Sequence, residues 1–289
     1  MITRGRRRLW AAFAAGLWLA GAATAPARAE AAPAAAAEVD YAALDAREAE
    51  DQKVVDRALA AMGRRGARAL ADFEDDLAAV MARAPETYPQ VEVRPNLVIV
   101  RSEDPGESLG LLMMVAAASA KEPAMAGKSA VSRRNTYITA AFLLGFRAVD
   151  RRAPQEALEW LDRGLALQPN EPRLTAEKAA ALTLLRRWAD TPAMCDAALD
   201  ANPFMGKTTR ALLLRNKGFA LIELGRLDEA EAAYVESRTY EPDSPVAAQE
   251  LDYIRRLRAG GPPAPPALLP SPDAAPAPAE PPPADRRDT

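Results

Sequence analysis

The chain contains no histidine and only one cysteine among its 289 residues. The absence of histidine excludes Ser-His-Asp and Cys-His catalysis, and it excludes every metal site that uses an imidazole ligand. The single cysteine, Cys195, has no partner within the chain for a disulfide bond. The sequence therefore offers few of the residues on which common hydrolases and metalloenzymes depend.

Acidic residues outnumber basic residues beyond the first part of the chain. Residues 1–29 contain five arginines and no acidic residue, whereas the rest of the chain has 32 basic and 40 acidic side chains, a net charge of −8. A protein surface of this sign does not replace the counterions that surround nucleic acid. We therefore expect no nucleic-acid partner.

Residues 1–29 have the organisation of a secretory signal peptide. Four arginines precede an uncharged stretch from Leu9 to Ala25, and Ala27-Arg28-Ala29 matches the pattern that signal peptidase cleaves. We expect export to the periplasm of a Gram-negative bacterium, by either the general or the twin-arginine route. An uncleaved membrane anchor is the alternative, because the uncharged run is barely long enough to span a bilayer.

A small α+β unit is predicted at residues 39–134, after a flexible lead at residues 30–38 that is rich in Ala and Pro. Apolar residues at helical spacing predict two helices in its first half. We expect the first helix to break at Gly63 and Gly66 and the second to end at Pro85 and Pro89.

The second half of this unit changes its periodicity. Polar and apolar residues alternate over residues 90–94, and a continuous apolar run at residues 97–100 follows the turn pair Pro95-Asn96. This pattern predicts a β-hairpin. An isolated hairpin is marginal in water, so it should pack on neighbouring helices. The segment 104–120 is apolar nearly all round and predicts a buried helix, whereas residues 121–134 predict a loop.

Three later segments carry one pattern in the same phase. The clearest copy has Gly218 and Ala220 in a predicted first helix, Gly225 at a turn, and Ala230 and Tyr234 along a second helix. This pattern resembles the tetratricopeptide repeat, in which each unit of 34 residues forms two antiparallel helices that stack on the next unit. The three copies are residues 138–171, 172–205 and 211–244.

The resemblance implies a mainly α fold for residues 135–258. We expect an α-solenoid of three helical hairpins and a capping helix at residues 245–258, preceded by the small α+β unit. Gly145, Ala179 and Gly218 share one position in the first helices, where a neighbouring helix approaches closely. The middle copy departs from the pattern at Thr191 and Pro192, which predicts a bend there.

Cys195 falls in the second helix of the middle repeat, at the position that Tyr234 holds in the last one. This position lies on a buried seam, so a packed small apolar side chain is expected. A reactive thiol is the alternative.

Residues 259–289 are dominated by Pro and Ala. Such a segment does not contain enough large apolar side chains to fold, so we expect an extended, disordered spacer. A P-x-x-P match at Pro262 and Pro265 is the alternative, as a docking motif.

Tetratricopeptide repeats bind proteins or peptides through the concave face of their first helices. By repeat phase, the lining of that groove is apolar with two arginines, which favours a ligand with apolar anchors and an acidic group. The alternative is that the aromatic residues pack against the N-terminal unit or the capping helix. The candidate groove residues are Phe142, Phe146, Val149, Arg173, Leu212, Arg215, Phe219 and Ile222.

Family members that bind chaperones hold a terminal carboxylate with a clamp of basic and amide side chains. The matching positions here include Phe142, Phe146, Glu177, Leu212 and Asn216. Only Asn216 has suitable chemistry, so that ligand is not implied.

The sequence favours a scaffold for another protein or peptide that catalyses nothing and requires no cofactor or metal. Gly206-Lys207-Thr208 is similar to part of a phosphate loop, but the first glycine and the preceding strand are missing. Two alternatives stay open. One is a cell-envelope assembly factor whose N-terminal unit carries the specific activity. The other is a hydrolase that uses carboxylates of residues 39–134.

Overall fold

The computed structural model describes residues 39–263. The predicted signal peptide, the lead and all but the start of the predicted spacer lie outside these residues. These described residues divide into two units, residues 39–50 and 51–263. Among residues 39–263, no helix combines the length and the apolar character that a membrane crossing requires.

The N-terminal part of the described chain contains helices and a small sheet. Helix α1 continues through Gly63 and ends at Arg65, so of the two predicted glycine breaks only the one at Gly66, whose φ is 76°, is confirmed. A 3-10 helix, Ala67–Phe73, links α1 to α2. The elements here are α1 (Tyr41–Arg65), α2 (Glu74–Ala82), β1 (Val91–Val93), β2 (Leu97–Arg101), α3 (Pro105–Ser119) and β3 (Ser129–Arg133).

The predicted hairpin is confirmed. Strands β1 and β2 pair antiparallel, with Val91 opposite Val100 and Val93 opposite Val98. A third strand, β3, pairs parallel to β2 with Leu97 opposite Ser129, so the predicted loop at 121–134 is wrong in its second half. The sequence of β3 has little β-branched character, and its pairing with β2 sets its conformation.

Helix α3 crosses between β2 and β3 and packs on the sheet. Leu111 and Val115 are buried against Val98 and Val100. The opposite side of α3 carries Leu109 and Met113, which are exposed, so the prediction of a buried helix is wrong for that side.

The rest of the described chain consists of helices in pairs, as the repeat pattern predicts. Each pair forms a hairpin, the second helix of a pair packs on the first helix of the next, and successive first helices also touch. The pairs are α4 (Thr136–Asp150) with α5 (Pro154–Leu167), α6 (Pro172–Leu184) with α7 (Thr191–Ala201), and α8 (Lys207–Glu223) with α9 (Leu227–Tyr240), followed by the capping helix α10 (Pro245–Arg258).

The turns between the paired helices show the repeat phase directly. Arg152, Arg186 and Gly225 occupy the same position in the three repeats, and all three have positive φ angles, of 59°, 56° and 72°. Each turn is closed by the same backbone hydrogen bond across five residues, from the N–H of Ala153, Arg187 or Arg226 to a carbonyl oxygen at 2.8 or 2.9 Å. This is the Schellman arrangement that ends many helices.

Small residues allow the helices to approach closely. A Cβ added at Gly145 would lie 2.5 Å from a methyl carbon of Leu161, and one at Gly218 would lie 2.7 Å from the ring of Tyr234. These pairs join the first and second helices of repeats one and three. Both distances are far below van der Waals contact, which explains why glycine is required.

The middle and last repeats adapt to their sequence irregularities. At Thr191, a 3-10 helix (Trp188–Asp190) precedes α7, so the predicted bend takes the form of a tighter first turn. The five residues inserted before the last repeat extend α8 by about one turn at its start, because α8 begins at Lys207.

The first repeat shares its core with the N-terminal helices. Val55, Leu70 and Leu77 are buried in the same cluster as Ile138 and Leu161. Helix α4 packs against α2 and the preceding 3-10 helix. The boundary predicted at residue 134 therefore lies within a continuous apolar core.

Buried polar contacts also connect these parts. The Gln168 side chain donates to the carbonyl oxygen of Tyr88 at 3.0 Å and exchanges hydrogen bonds with Asn135 at 2.9 and 3.0 Å. Asp51, almost fully buried, accepts hydrogen bonds from Arg83 at 2.9 Å and from the Tyr137 hydroxyl at 3.2 Å. These bonds fix the N-terminal unit against α4 and α5.

Candidate functional site

The predicted groove residues lie on the three first helices, α4, α6 and α8. Because successive first helices touch, their half-buried residues form one surface, which we call the first-helix face. Seven of the eight predicted residues are half-buried on it: Phe142, Phe146, Val149, Arg173, Leu212, Arg215 and Phe219.

Ile222, the eighth, is a core residue. It is only 7% exposed and packs with Leu251 and Ile254 of the capping helix and with Tyr234. Its side chain therefore stabilises the third repeat and is not presented to a ligand.

Two stacked phenylalanines form the α4 end of the first-helix face. The rings of Phe142 and Phe146 lie 5.9 Å apart with an angle of 20° between their planes. Both rings, together with Val149, pack against the core shared with the N-terminal helices. The rings pack on this core, which includes residues of the N-terminal helices and of the repeats, and they remain partly exposed.

Both predicted arginines have acidic partners within the chain. Arg173 donates from Nε to Glu171 at 3.1 Å and from Nη2 to the Thr139 hydroxyl at 3.3 Å, and its guanidinium carbon lies 5.4 Å from the Phe142 ring centre. Arg215 forms an ion pair with Glu241. The two positive charges are already balanced, which removes the reason to expect an acidic ligand.

The α8 end of the face includes an aromatic residue that sequence reasoning missed. Trp188 lies in the 3-10 helix before α7, and its ring meets the Phe219 ring edge to face, with centres 5.7 Å apart. Leu212 packs nearby against the core of the middle repeat, beside Cys195 and Leu213. The repeat phase does not predict the position of Trp188, because this residue lies in the irregular turn of the middle repeat.

Glu177 lies in the middle of the first-helix face. It is half-buried on α6, and next to it the Asn216 side chain of α8 donates to the carbonyl oxygen of Ala176 at 3.1 Å. Burial raises the pKa of the Glu177 carboxyl to about 7. Among residues 39–263, this carboxyl has no hydrogen-bond or ion-pair partner.

A second site, an acidic pocket, opens where the starts of α3, α4, α6 and α8 meet. It has a volume of about 190 Å³, and four carboxylates, Glu103, Asp104, Glu107 and Glu171, contribute to its lining. Burial, opposed by a hydrogen bond from Ser102 and reinforced by the charge of Glu171, raises the pKa of Glu107.

The acids of this pocket have structural partners. Asp104 and Glu171 accept hydrogen bonds from the backbone at the starts of α3 and α6, at 2.7 Å each. Glu103 pairs with Arg134 at 2.6 Å, and Glu107 accepts from the Ser102 hydroxyl at 2.6 Å. In the part of the chain that the structure describes, no group of three or more His, Cys, Asp or Glu residues is placed to hold a metal ion.

The remaining chemical motifs have local explanations. Cys195 is fully buried, and burial raises the pKa of its thiol to about 12, which agrees with a packed apolar role. Gly206, in the fragment similar to a phosphate loop, lies beside the Asp104 carboxylate. That negative charge disfavours a phosphate group at this position.

Models of known protein families do not match the chain, and neither do the curated proteins. Similar solved structures include the first tetratricopeptide repeat domain of Spaghetti (RPAP3) bound to the HSP90 peptide SRMEEVD, and the first such domain of human RPAP3. Each is 23% identical with a TM-score of 0.39; the matches cover 42% and 43% of this chain and 93% of each solved chain. The repeat assignment rests on the turns and helix contacts described above, not on this likeness.

Proposed function

We propose that this protein is a scaffold that binds another protein or a peptide on the first-helix face. The observation that carries the proposal is two pairs of partly exposed aromatic side chains on the stacked repeats: Phe142 with Phe146 on α4, and Phe219 of α8 with Trp188 of the 3-10 helix before α7. Aromatic side chains grouped on an accessible surface are typical of binding sites. A helix or an extended segment with apolar anchors suits such a face.

Binding without catalysis is part of this proposal. The chain has no histidine, its cysteine is buried, and the carboxylates of the acidic pocket serve as helix caps and ion-pair partners. None of these groups is arranged as a nucleophile beside a base, which nucleophilic catalysis requires.

Export to the periplasm is a further part of the proposal and rests on residues 1–29 alone. Their basic start, uncharged apolar stretch and A-x-A pattern support a cleaved signal peptide. N-terminal sequencing of the protein from the envelope fraction of the producing cells tests this. A mature chain that begins at Glu30 is the expected result, and an intact N-terminus would contradict it.

The binding surface is tested by replacing Phe219 with alanine and measuring partner recovery after crosslinking. The matched control is Val235→Ala on α9, where the side chain is 53% exposed on a second helix. We expect the first variant to lose the partner and the control to keep it, with the same circular dichroism for both. Equal recovery from both variants would contradict binding on this face.

A second candidate function places the specific activity in the N-terminal unit. On α3, Leu109 and Met113 lie one turn apart and are 60% and 65% exposed, which is unusual for large apolar residues. If this surface is the one that binds, Leu109→Ser with Met113→Ser abolishes partner recovery while Phe219→Ala does not. The opposite pattern favours the first-helix face.

A further inference from the structure

We infer that the ligand of the first-helix face presents a cationic group, a lysine or arginine side chain flanked by apolar residues, to the carboxylate of Glu177. This inference rests on the proposed function and specifies the chemistry of the ligand. It reverses the acidic ligand that the two arginines alone had suggested.

The position of Glu177 follows from its neighbours on α6. Arg173, Glu177, Ala180 and Leu184 are spaced by three or four residues, so they share one side of the helix, and all four are half-buried. Arg173 reaches Phe142 on α4 from this side. The Asn216 side chain of α8 donates a hydrogen bond to the carbonyl oxygen of Ala176, the residue before Glu177.

Most basic side chains on α4, α6 and α8 have acidic partners, whereas Arg210 of α8 donates to the carbonyl oxygen of Asn202. Six basic residues on the surrounding elements have acidic partners, and burial raises the pKa of Glu223, opposed by the charge of Arg186. These partnerships leave Glu177 as a carboxylate without a counter-charge among residues 39–263. The pairs are Arg147 with Glu74 and Asp150, Arg173 with Glu171, Lys178 with Asp162, Arg187 with Asp190, Arg215 with Glu241, and Lys217 with Asp196.

The cost of this unpaired charge determines which ligand binds best. A half-buried carboxylate has lost part of its hydration, so a cation placed beside it restores favourable electrostatics, whereas a second carboxylate repels it. The aliphatic stem of lysine or arginine packs well on apolar side chains, and its charge is attracted to the faces of aromatic rings. A neutral ligand would leave the carboxylate uncompensated.

The test begins with a random 12-residue peptide library selected on the full chain. Peptides that bind the wild type but not Phe219→Ala are synthesised, each with its basic residue kept or replaced by norleucine or glutamate. Affinities are measured by fluorescence anisotropy for the wild type, for Glu177→Gln and for the control Glu236→Gln, which alters an exposed carboxylate on α9.

We expect the selected peptides to be enriched in lysine or arginine, and the basic version to bind at least tenfold more tightly than the other two at pH 8. Glu177→Gln removes this preference, and Glu236→Gln does not. The preference also weakens as the pH falls below 7, because Glu177 is then protonated and loses its charge.

Three results overturn the inference. Peptides that depend on Phe219 but show no preference for a basic residue refute the ligand chemistry and leave the proposed function intact. Tighter binding at low pH, or to Glu177→Gln, means that the carboxyl acts as a hydrogen-bond donor to a neutral ligand. A selection that yields no peptide dependent on Phe219 refutes the proposed function and this inference together.

Discussion

Replacing Gly218 with alanine tests the packing on which the repeat structure depends. An added Cβ would lie 2.7 and 2.8 Å from two ring carbons of Tyr234, which is 1% exposed and has no room to move away. Carbon atoms prefer separations of about 3.5–4.0 Å, so the ring and the helix must separate by nearly 1 Å. Overpacking of this kind costs roughly 1–3 kcal/mol in the free energy of unfolding.

A glycine-to-alanine change also favours the helix by up to about 1 kcal/mol, so a matched control is needed. Gly63 of α1 provides it, because nothing lies within 4 Å of the position that its Cβ would take. We expect Gly218→Ala to be less stable than Gly63→Ala by about 1–3 kcal/mol, measured by urea denaturation of the two variants. Equal stabilities would show that α8 and α9 do not approach at Gly218, and the repeat phase would be wrong.

Four further outcomes are expected. Arg152→Gly raises the unfolding free energy by roughly 0.5–1 kcal/mol, because the left-handed backbone at φ 59° no longer strains a side chain; urea denaturation measures this. Gln168→Ala lowers the free energy of unfolding by about 2–3 kcal/mol, because Tyr88 and Asn135 lose a buried hydrogen-bond partner. Thermal unfolding measures this loss, and the control Gln249→Ala, at an exposed position, leaves it unchanged. Cys195 does not react with a thiol reagent at pH 8 in the folded protein but reacts on unfolding, and fast labelling of the native state would contradict its burial. Finally, the raised pKa of Glu177 means that the folded state binds this proton more tightly than the unfolded state, so ionised Glu177 lowers the free energy of unfolding as the pH rises from about 4 to 7. Glu177→Gln is therefore more stable than the wild type by on the order of 2 kcal/mol at pH 8, and equally stable at pH 4. A difference that is constant across this pH range would refute the prediction.

The repeats were predictable because their small residues and prolines recur with a fixed period. That period places Gly145 and Gly218 at equivalent points of close approach, as the structure confirms. The conformations of Arg152 and Arg186 were not predictable, since arginine rarely adopts positive φ. In these turns the geometry of the helical hairpin overrides the local preference of the residue.

The N-terminal unit was predicted less completely because long-range pairing decides its structure. The hairpin had a local signal in its alternating residues, whereas β3 forms only because β2 provides a partner some thirty residues earlier in the chain. The exposure of Leu109 and Met113 follows from the placement of α3 on one face of the sheet. Composition alone does not reveal which side of an apolar helix is covered.

The candidate site was predictable in position but not in charge. The repeat phase located the first helices and most of the half-buried residues on their shared face. It did not show that Arg215 pairs with Glu241, a residue outside the first helices, or that Ile222 is buried by the capping helix. These contacts depend on how successive repeats stack, and they leave Glu177 as the charge that matters for a ligand.

The most direct test of binding on the first-helix face is site-specific photo-crosslinking in the producing cells. A photoreactive phenylalanine analogue replaces Phe219 in the full chain, and the same analogue replaces the exposed Val235 as a control. We expect a discrete crosslinked adduct with one partner from position 219 and no adduct from position 235. Adducts of equal yield from both positions, or none from position 219, would contradict it.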